Sequence, residues 1–391
     1  MNILFISRGY PSKKYPMHGI FEYDQAKALS NYGHNVIFGF VDLRSIRRTR
    51  KWGFEKLKKD GILHYGINIP LGRFPRSVLS FFGYQGLKLL YNKIEKEFGK
   101  PDLMHSHFLH KSNNAVQLKM INNLPLVITE HLSSLMEDNI DDQLLNVGNE
   151  TYKNADKVIT VSPGLKKVIK KEFNVEAKYI PNIVDTEIFQ FNNLNKTNNK
   201  EFNFISVGGL IDRKGMDLTI KAFNKAFKNN PRTKLKIIGG GPEKKNLESL
   251  IKELHLESRI KLTGRIERKK IAEYFKKSDA FVLASKGETF GVVFIEAMAS
   301  GLPVIATRCG GPEHFIKKEQ GLIIEKNNID KLAGAMKDIY RNIDSYDNQK
   351  ISKMTVEQFS PESVAEQITE VYKRCFKLKS GSVIYVPKTN F

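Results

Sequence analysis

The sequence predicts an α/β chain made of two doubly wound, parallel-sheet halves facing across a cleft. Three observations carry this. Short β-branched or apolar runs alternate with amphipathic segments. The runs are near-continuously apolar, as strands covered on both faces require. A polar stretch at 189–201, FQFNNLNKTNNKE, separates two such series and reads as part of a linker.

The elements follow in order. In the first series, strand runs fall at 2–7, 35–41, 103–105, 126–129 and 157–161, with a helix at 21–31. The second series has strand runs at 202–207, 235–238, 260–262, 280–283, 304–306 and 322–324. Helical patterns lie between them at 216–227, 243–254, 269–276 and 329–340. The predicted domains are 1–187 and 188–359. Residues 359–376, FSPESVAEQITEVYKRCF, form a last helix with Ser360 as cap and Pro361 at its first position. Ligands of such sheets bind beyond the strand C-termini.

Composition narrows the classes. The chain has 391 residues, and 63 Lys+Arg against 42 Asp+Glu leave +21. A hydrophobic fraction of 41% excludes a disordered chain. Two cysteines cannot build a disulfide scaffold, so a reduced, cytoplasmic setting is expected. The start MNILFISRG lacks the order of a signal peptide, and no uncharged apolar run reaches about 18 residues. The charge excess alone fits nucleic acid, an anionic membrane or a phosphorylated substrate equally.

Chemistry concentrates in the second half. Residues 284–307 read ASKGETFGVVFIEAMASGLPVIAT. A strand leads into a polar turn, Gly291 opens an apolar helix, and Gly301 ends it. Glu296 stands inside that apolar helix, where a buried carboxylate needs dedicated partners. Glu288 lies in the loop before it, beside the free N–H groups of the helix start. Residues 206–215, SVGGLIDRKG, put Arg213 and Lys214 beside a Gly-rich turn, an arrangement suited to a diphosphate. The turn in 236–242, KIIGGGP, reads by itself as an ordinary strand-to-helix loop.

Taken together, residues 202–340 resemble the family 4 glycosyltransferases of GT-B fold, retaining enzymes that use nucleotide sugars. The resemblance rests on VGGLIDRKG, IIGGGP, the Glu-x7-Glu element from Glu288 to Glu296, and Gly310-Gly311 before Pro312-Glu313. It implies two Rossmann-like domains with the last helix, about 360–391, crossing back to the N-terminal domain. It assigns Glu288 to donor-sugar hydroxyls, Glu296 to the ribose, and Arg213 and Lys214 to the diphosphate at the Gly208-Gly209 turn. The backbones of Thr289, Phe290 and Gly291 would touch sugar and phosphate, and Ile266 would hold the base through main-chain atoms. One departure stands out: many relatives carry Arg where this chain has Gly209.

The first half matches less strongly. By resemblance, the loop 8–20, RGYPSKKYPMHGI, helps form the acceptor side, with Gly19 near the transferred sugar and His18 beside it. The second histidine of DLMHSHF, His107, would contact the donor sugar. Glu130 and His131, at the end of the next strand, are expected to meet an acceptor hydroxyl. PNIVD at 181–185 matches a family signature and reads as structural. The chain contains no Asp-x-Asp, so no metal or other cofactor is expected, and leaving-group charge falls to Arg213, Lys214 and the helix start.

The stretch 44–59, from Arg44 to Lys59, holds eight Lys/Arg and one Glu with Trp52, Phe54 and Leu57 interleaved. Residues 71–91 add Phe74, Phe81 and Phe82. This mixture suits an anionic bilayer surface and predicts peripheral attachment to the inner face of the plasma membrane. The expected function is transfer of a sugar to a glycan or lipid-linked acceptor in cell-envelope polysaccharide synthesis. A sugar-nucleotide epimerase of the same fold is the alternative. No nucleic-acid module is recognisable, so no nucleic-acid partner is expected.

Overall fold

A computed structural model describes residues 1–11, 15, 17–43, 52–71, 74–137, 139–191 and 201–377. Most of the expected linker, the first half of the basic stretch and the tail 378–391 lie outside the described residues. The chain splits into two compact units. One comprises Met1–Val161, Leu165–Pro181 and the chain from Pro361; the other comprises Ser162–Gly164 and Asn182–Ser360. The sequence reading drew the boundary at 187/188, whereas the contacts divide the chain at 181/182.

The first unit carries strands β1 (Asn2–Ser7), β2 (Asn35–Asp42), β3 (Gly53–Lys59), β4 (Ile62–Asn68), β5 (Leu103–His107), β6 (Leu126–Glu130), β7 (Lys157–Thr160) and β8 (Ala177–Tyr179). Its helices are α1 (Ile20–Asn31), α2 (Arg76–Phe98), α3 (Leu109–Asn122), α4 (Asp142–Lys153) and α5 (Pro163–Phe173, whose first two residues fall to the other unit). The sheet order is β3-β4-β2-β1-β5-β6-β7-β8. All neighbours run parallel except β3 and β4. Phe5, Phe38 and Phe40 sit in the core and show almost no exposure.

The β3–β4 hairpin replaces a surface segment in the sequence reading. Asp60 and Gly61 both take positive φ, 48° and 79°, which closes a two-residue turn that matches strand twist. Register runs from Gly53↔Asn68 to Lys59↔Ile62. So the described part of the basic stretch is an edge strand, and its lysines guard that edge. Lys56 pairs with Glu97 of α2.

The second unit carries β9 (Phe202–Val207), β10 (Thr233–Ile238), β11 (Ile260–Leu262), β12 (Ala280–Leu283), β13 (Val304–Arg308) and β14 (Gly321–Glu325). Its helices are α6 (Met216–Phe227), α7 (Lys244–Glu253), α8 (Arg268–Lys276), α9 (Val292–Ala299), α10 (Ile329–Arg341) and α11 (Asn348–Phe359). The order β11-β10-β9-β12-β13-β14 is wholly parallel and reverses direction between β9 and β12. In the first unit the corresponding reversal lies between β1 and β5. Ligand sites of doubly wound sheets form outside the strand ends at such switch points.

The last helix, α12 (Pro361–Lys377), belongs to the first unit and lies against α1. Its apolar stripe of Val364, Ile368, Val371 and Tyr372 is buried. Tyr372 shares a 2.6 Å hydrogen bond with His105 Nδ1, and Thr369 one of 2.8 Å with His34 Nε2.

Candidate functional site: a carboxylate pair in one unit and a histidine cluster in the other

At the switch point of the second unit, the loop after β9 meets the loop after β12. Gly215 lets them touch: its φ is +59°, and a Cβ there would stand 2.1 Å from the Ala284 carbonyl oxygen. Arg213 and Lys214 lie in a short 3-10 turn just before Gly215. The Lys286 N–H donates to the Arg213 carbonyl at 2.8 Å, and the Arg213 guanidinium donates to the Gly287 carbonyl at 3.0 Å. The Lys214 ammonium reaches Glu288 Oε1 at 2.5 Å, and the Ser285 hydroxyl donates to the same oxygen at 2.7 Å. Glu288 is buried, so this carboxylate is held by one cation and one hydroxyl.

Gly291 at φ +95° precedes α9, whose residues Phe294 to Ala299 are all buried. Phe290 points its ring into the core against Phe315, at 4.8 Å between centroids. Only its backbone therefore remains for a ligand. The Glu313 carboxylate accepts from the Gly310 N–H at 2.8 Å and shapes the next loop. Glu296 is buried and finds the partner its position requires. Arg268, at the start of α8, donates to Glu296 Oε1 from Nη2 at 2.9 Å and from Nε at 3.2 Å. Asp185 flanks Arg268 at 4.0 Å. Burial pushes the Glu296 carboxyl above its usual range, and Arg268 opposes that shift.

Gly208 donates to the Ile238 carbonyl at 3.0 Å, and the Gly239–Gly241 turn packs backbone to backbone on Gly208 and Leu210. A side chain at Gly239 or Gly241 would strike the Gly208 or Leu210 carbonyl. A Cβ added at Gly209 would meet nothing within 4 Å. Ile266 is half-buried in the loop before α8.

In the first unit, Gly19 starts α1 at φ +69°, and a Cβ there would stand 1.9 Å from the Gly9 carbonyl oxygen. His18 folds over Gly9 and its Nε2 lies 3.0 Å from the Arg8 carbonyl. Arg8 pairs with buried Glu22 at 2.8 Å and stacks 3.6 Å from the Phe108 ring centre. Arg8, His18, Asp42, Lys111 and Asn114 line a cavity of about 600 Å³ together with both polar and apolar residues.

His107 and His131, expected to act separately, form a pair. His107 Nδ1 lies 3.1 Å from His131 Nε2, and both rings are buried. His107 Nε2 has no partner among the described residues. Burial holds both rings neutral: His131 drops to about 3, and His107 falls well below its usual value. Glu130 corrects the sequence reading. It is fully buried, and its carboxylate accepts from the His131 and Leu132 N–H groups, each at 2.8 Å, and from the Tyr152 hydroxyl at 2.6 Å. With its oxygens so engaged it serves the fold and presents nothing to an acceptor.

Sequence reasoning missed Arg268, Ser285 and Tyr372. Arg268 sits among several cations in RIERKK, and nothing local marks which of them reaches Glu296. The Asp60-Gly61 pair was a legible hairpin signal.

Two doubly wound sheets, parallel but for the β3–β4 pair and with loops gathered at each switch point, are the two Rossmann-like units of a GT-B glycosyltransferase architecture. A model of group 1 glycosyl transferases matches residues 187–355, and one of glycosyltransferase family 4 matches 21–188. The chain belongs to the family 4 glycosyltransferases. An uncharacterized glycosyltransferase of Methanocaldococcus jannaschii is 31% identical over 269 residues, covering 66% of this chain and 72% of that one. One of Haemophilus influenzae is 30% identical over 54% of this chain, a match that spans only 60% of the relative's length. The putative teichuronic acid biosynthesis glycosyltransferase TuaC of Bacillus subtilis is 27% identical over 94% of both chains. Among solved structures, sucrose-phosphate synthase of Thermosynechococcus elongatus gives a TM-score of 0.77 at 21% identity, over 96% of this chain and 99% of that one. Anabaena HepE in complex with UDP gives 0.74 at 19% identity, over 96% and 100%. These likenesses show the GT-B fold. The epimerase alternative finds no support in the matches.

No helix among the described residues is long and apolar enough to cross a membrane.

Proposed function

We propose that the chain is a retaining glycosyltransferase moving a sugar from a nucleoside-diphosphate sugar to a glycan or lipid-linked acceptor in cell-envelope polysaccharide synthesis. The observation that carries the donor reading is the Lys214–Glu288 contact at the start of α9, with Glu296 on the same helix. Glu288 binds sugar hydroxyls, Glu296 the ribose, and Arg213 and Lys214 the diphosphate. As the glycosidic bond breaks, negative charge grows on the leaving phosphate, and two cations and the α9 dipole offset it. The leaving phosphate takes the acceptor proton, so no protein base is required. In this reading the transfer needs no metal. The UDP in HepE and the teichuronic acid role ascribed to TuaC support a nucleotide-sugar donor and an envelope acceptor. In the first unit, Gly19, His18 and the His107–His131 pair stand on the acceptor and sugar side.

The same reading places the protein peripherally on an anionic membrane, at the cytoplasmic face. The outward face of α2 supports it. Phe81, Phe82 and Leu89 are exposed there beside Lys88, Lys93 and Lys96, and Lys93 also covers Phe54 at 4.3 Å. Apolar and cationic groups on one face suit headgroups.

A panel of nucleotide sugars, scored by slow hydrolysis and thermal shift, tests the donor reading, with Glu288→Ala and Glu296→Ala beside the parent. The expected result is one preferred donor and loss of its turnover in both variants. Full donor binding and turnover in both would overturn the site. Proton NMR of the product's anomeric centre tests retention.

A further inference from the structure

The first unit holds a second recess, at the edge of its sheet and away from the β1–β5 switch point. It is about 290 Å³ and lies where β7, edge strand β8, α5 and α12 meet. Lys157, Lys166, Lys178 and Arg374 line it, with Glu176 as the one carboxylate among the lining residues. Its floor is apolar, from Val158, Ala177 and Val371.

The local carboxylates make their ion pairs with other lysines, although Glu176 still acts on Lys166, and Glu370 on Lys178 and Arg374, at longer range. Glu176 pairs with Lys170 at 2.8 Å, and Glu370, one turn before Arg374, pairs with Lys373 at 2.7 Å. Among the described residues, no ion pair engages Lys157, Lys166, Lys178 or Arg374. Burial lowers the Lys178 pKa, the Arg374 charge lowers it further, and the Glu370 charge opposes both. Four like charges line one recess, Lys157 and Lys178 half-buried and Lys166 and Arg374 exposed, and charges so gathered repel each other. An isolated edge-strand lysine discourages strand pairing. That role does not account for cations converging from two strands and two helices.

We propose that this recess is a phosphate-binding site. A phosphate group suits it better than a carboxylate. It carries up to two charges, and its oxygens can accept from several ammonium groups and from the guanidinium fork at once. Binding ties α12 to α5 and β8. The phosphate can belong to a soluble ion or to a phospholipid headgroup, and these two sources separate in the test. The site is independent of the donor reading, which concerns the other unit.

The test uses the full-length protein and calorimetric titration with inorganic phosphate. Four proteins are compared: the parent, K178A/R374A, the charge-matched surface control K245A/K252A, and R213A/K214A. Circular dichroism and melting confirm that each is folded. The expected result is saturable binding in the parent, the surface control and R213A/K214A, at least tenfold weaker in K178A/R374A. A parallel arm uses sedimentation with phosphatidylglycerol vesicles and with phosphatidylcholine vesicles. Anionic-vesicle binding that drops in K178A/R374A identifies a headgroup as the source, and binding seen only in the titration identifies a soluble ion. Equal affinity in K178A/R374A and K245A/K252A, or no saturable binding of either probe, overturns the proposal. Phosphate binding lost only in R213A/K214A overturns it as well.

Discussion

Lys214 and Glu288 are separated by 74 positions in sequence, yet the ammonium and carboxylate oxygen stand 2.5 Å apart. The contact links the loops of two strands at the switch point, and Gly215 makes their approach possible. The two residues assigned to sugar and diphosphate thus hold each other in place.

Lys214→Ala leaves Glu288 buried with the Ser285 hydroxyl and no cation. We expect kcat/KM for the preferred donor to fall by about 10²–10³, the scale of removing one donor to developing charge. Steady-state kinetics check this. Gly215→Ala should reproduce much of the loss without removing a charged side chain, since its Cβ collides with the Ala284 carbonyl.

Glu296→Ala removes the nearer of two carboxylates at Arg268, whose side chain is only 11% exposed, and leaves Asp185 at 4.0 Å. Losing hydrogen bonds to a charged group costs about 1.5–3 kcal/mol. The expected outcome is a melting temperature lower by several degrees, alongside weaker donor binding. Glu296→Ala/Arg268→Leu should recover stability but not donor affinity, which differential scanning calorimetry and titration distinguish.

Gly209→Arg should be tolerated, because a Cβ there meets nothing within 4 Å. By supplying a cation at the phosphate turn it should tighten donor binding several-fold. Unchanged affinity would remove position 209 from the proposed diphosphate contact.

His105, His107 and His131 should make the protein acid-sensitive. Burial holds His105 and His131 at about 3, and His107 well below its usual value. In the unfolded chain each titrates near 6.5. Below that pH the unfolded state binds more protons, so stability falls with acid, by about 1.4 kcal/mol per pH unit for each ring. Above it the contribution is constant. Denaturant unfolding at pH 7 and pH 5 should show the drop. His131→Phe should make the slope shallower by one ring's share, a difference free of the opposing shifts of Glu130 and Glu296.

If α2 docks on the membrane, Phe81→Ser/Phe82→Ser should weaken binding to anionic vesicles by tenfold or more. Each buried Phe contributes about 1.5–3 kcal/mol. Undiminished sedimentation would remove α2 from that role.

Much of the architecture was legible because local rules act over short stretches. The runs at 2–7, 202–207 and 260–262 are the strands themselves, and α6 spans 216–227 as its periodicity predicts. That Glu296 needs a partner was legible, because a carboxylate inside an all-apolar helix is costly alone; whether the Glu288–Glu296 pair is structural or binds a ligand rested on the family resemblance. The β3–β4 hairpin was missed because its lysines and aromatics read as surface chemistry, although Asp60-Gly61 marked the turn.

The sequence by itself determined the strand–helix alternation, the Gly-rich turns and the types of group at the proposed donor site. Periodicity and turn chemistry are properties of neighbours along the chain. Tertiary structure alone decided who partners whom: Arg268 with Glu296, Lys214 with Glu288, His131 with His107, and Tyr152 with Glu130. Those choices depend on sheet order, which brings distant strand ends together. Burial then makes each pairing obligatory, since a polar group taken from water must find its partner there. The excess of 21 charges shows the same division. The sequence supplied it, and only the fold gathered four of the cations into one recess.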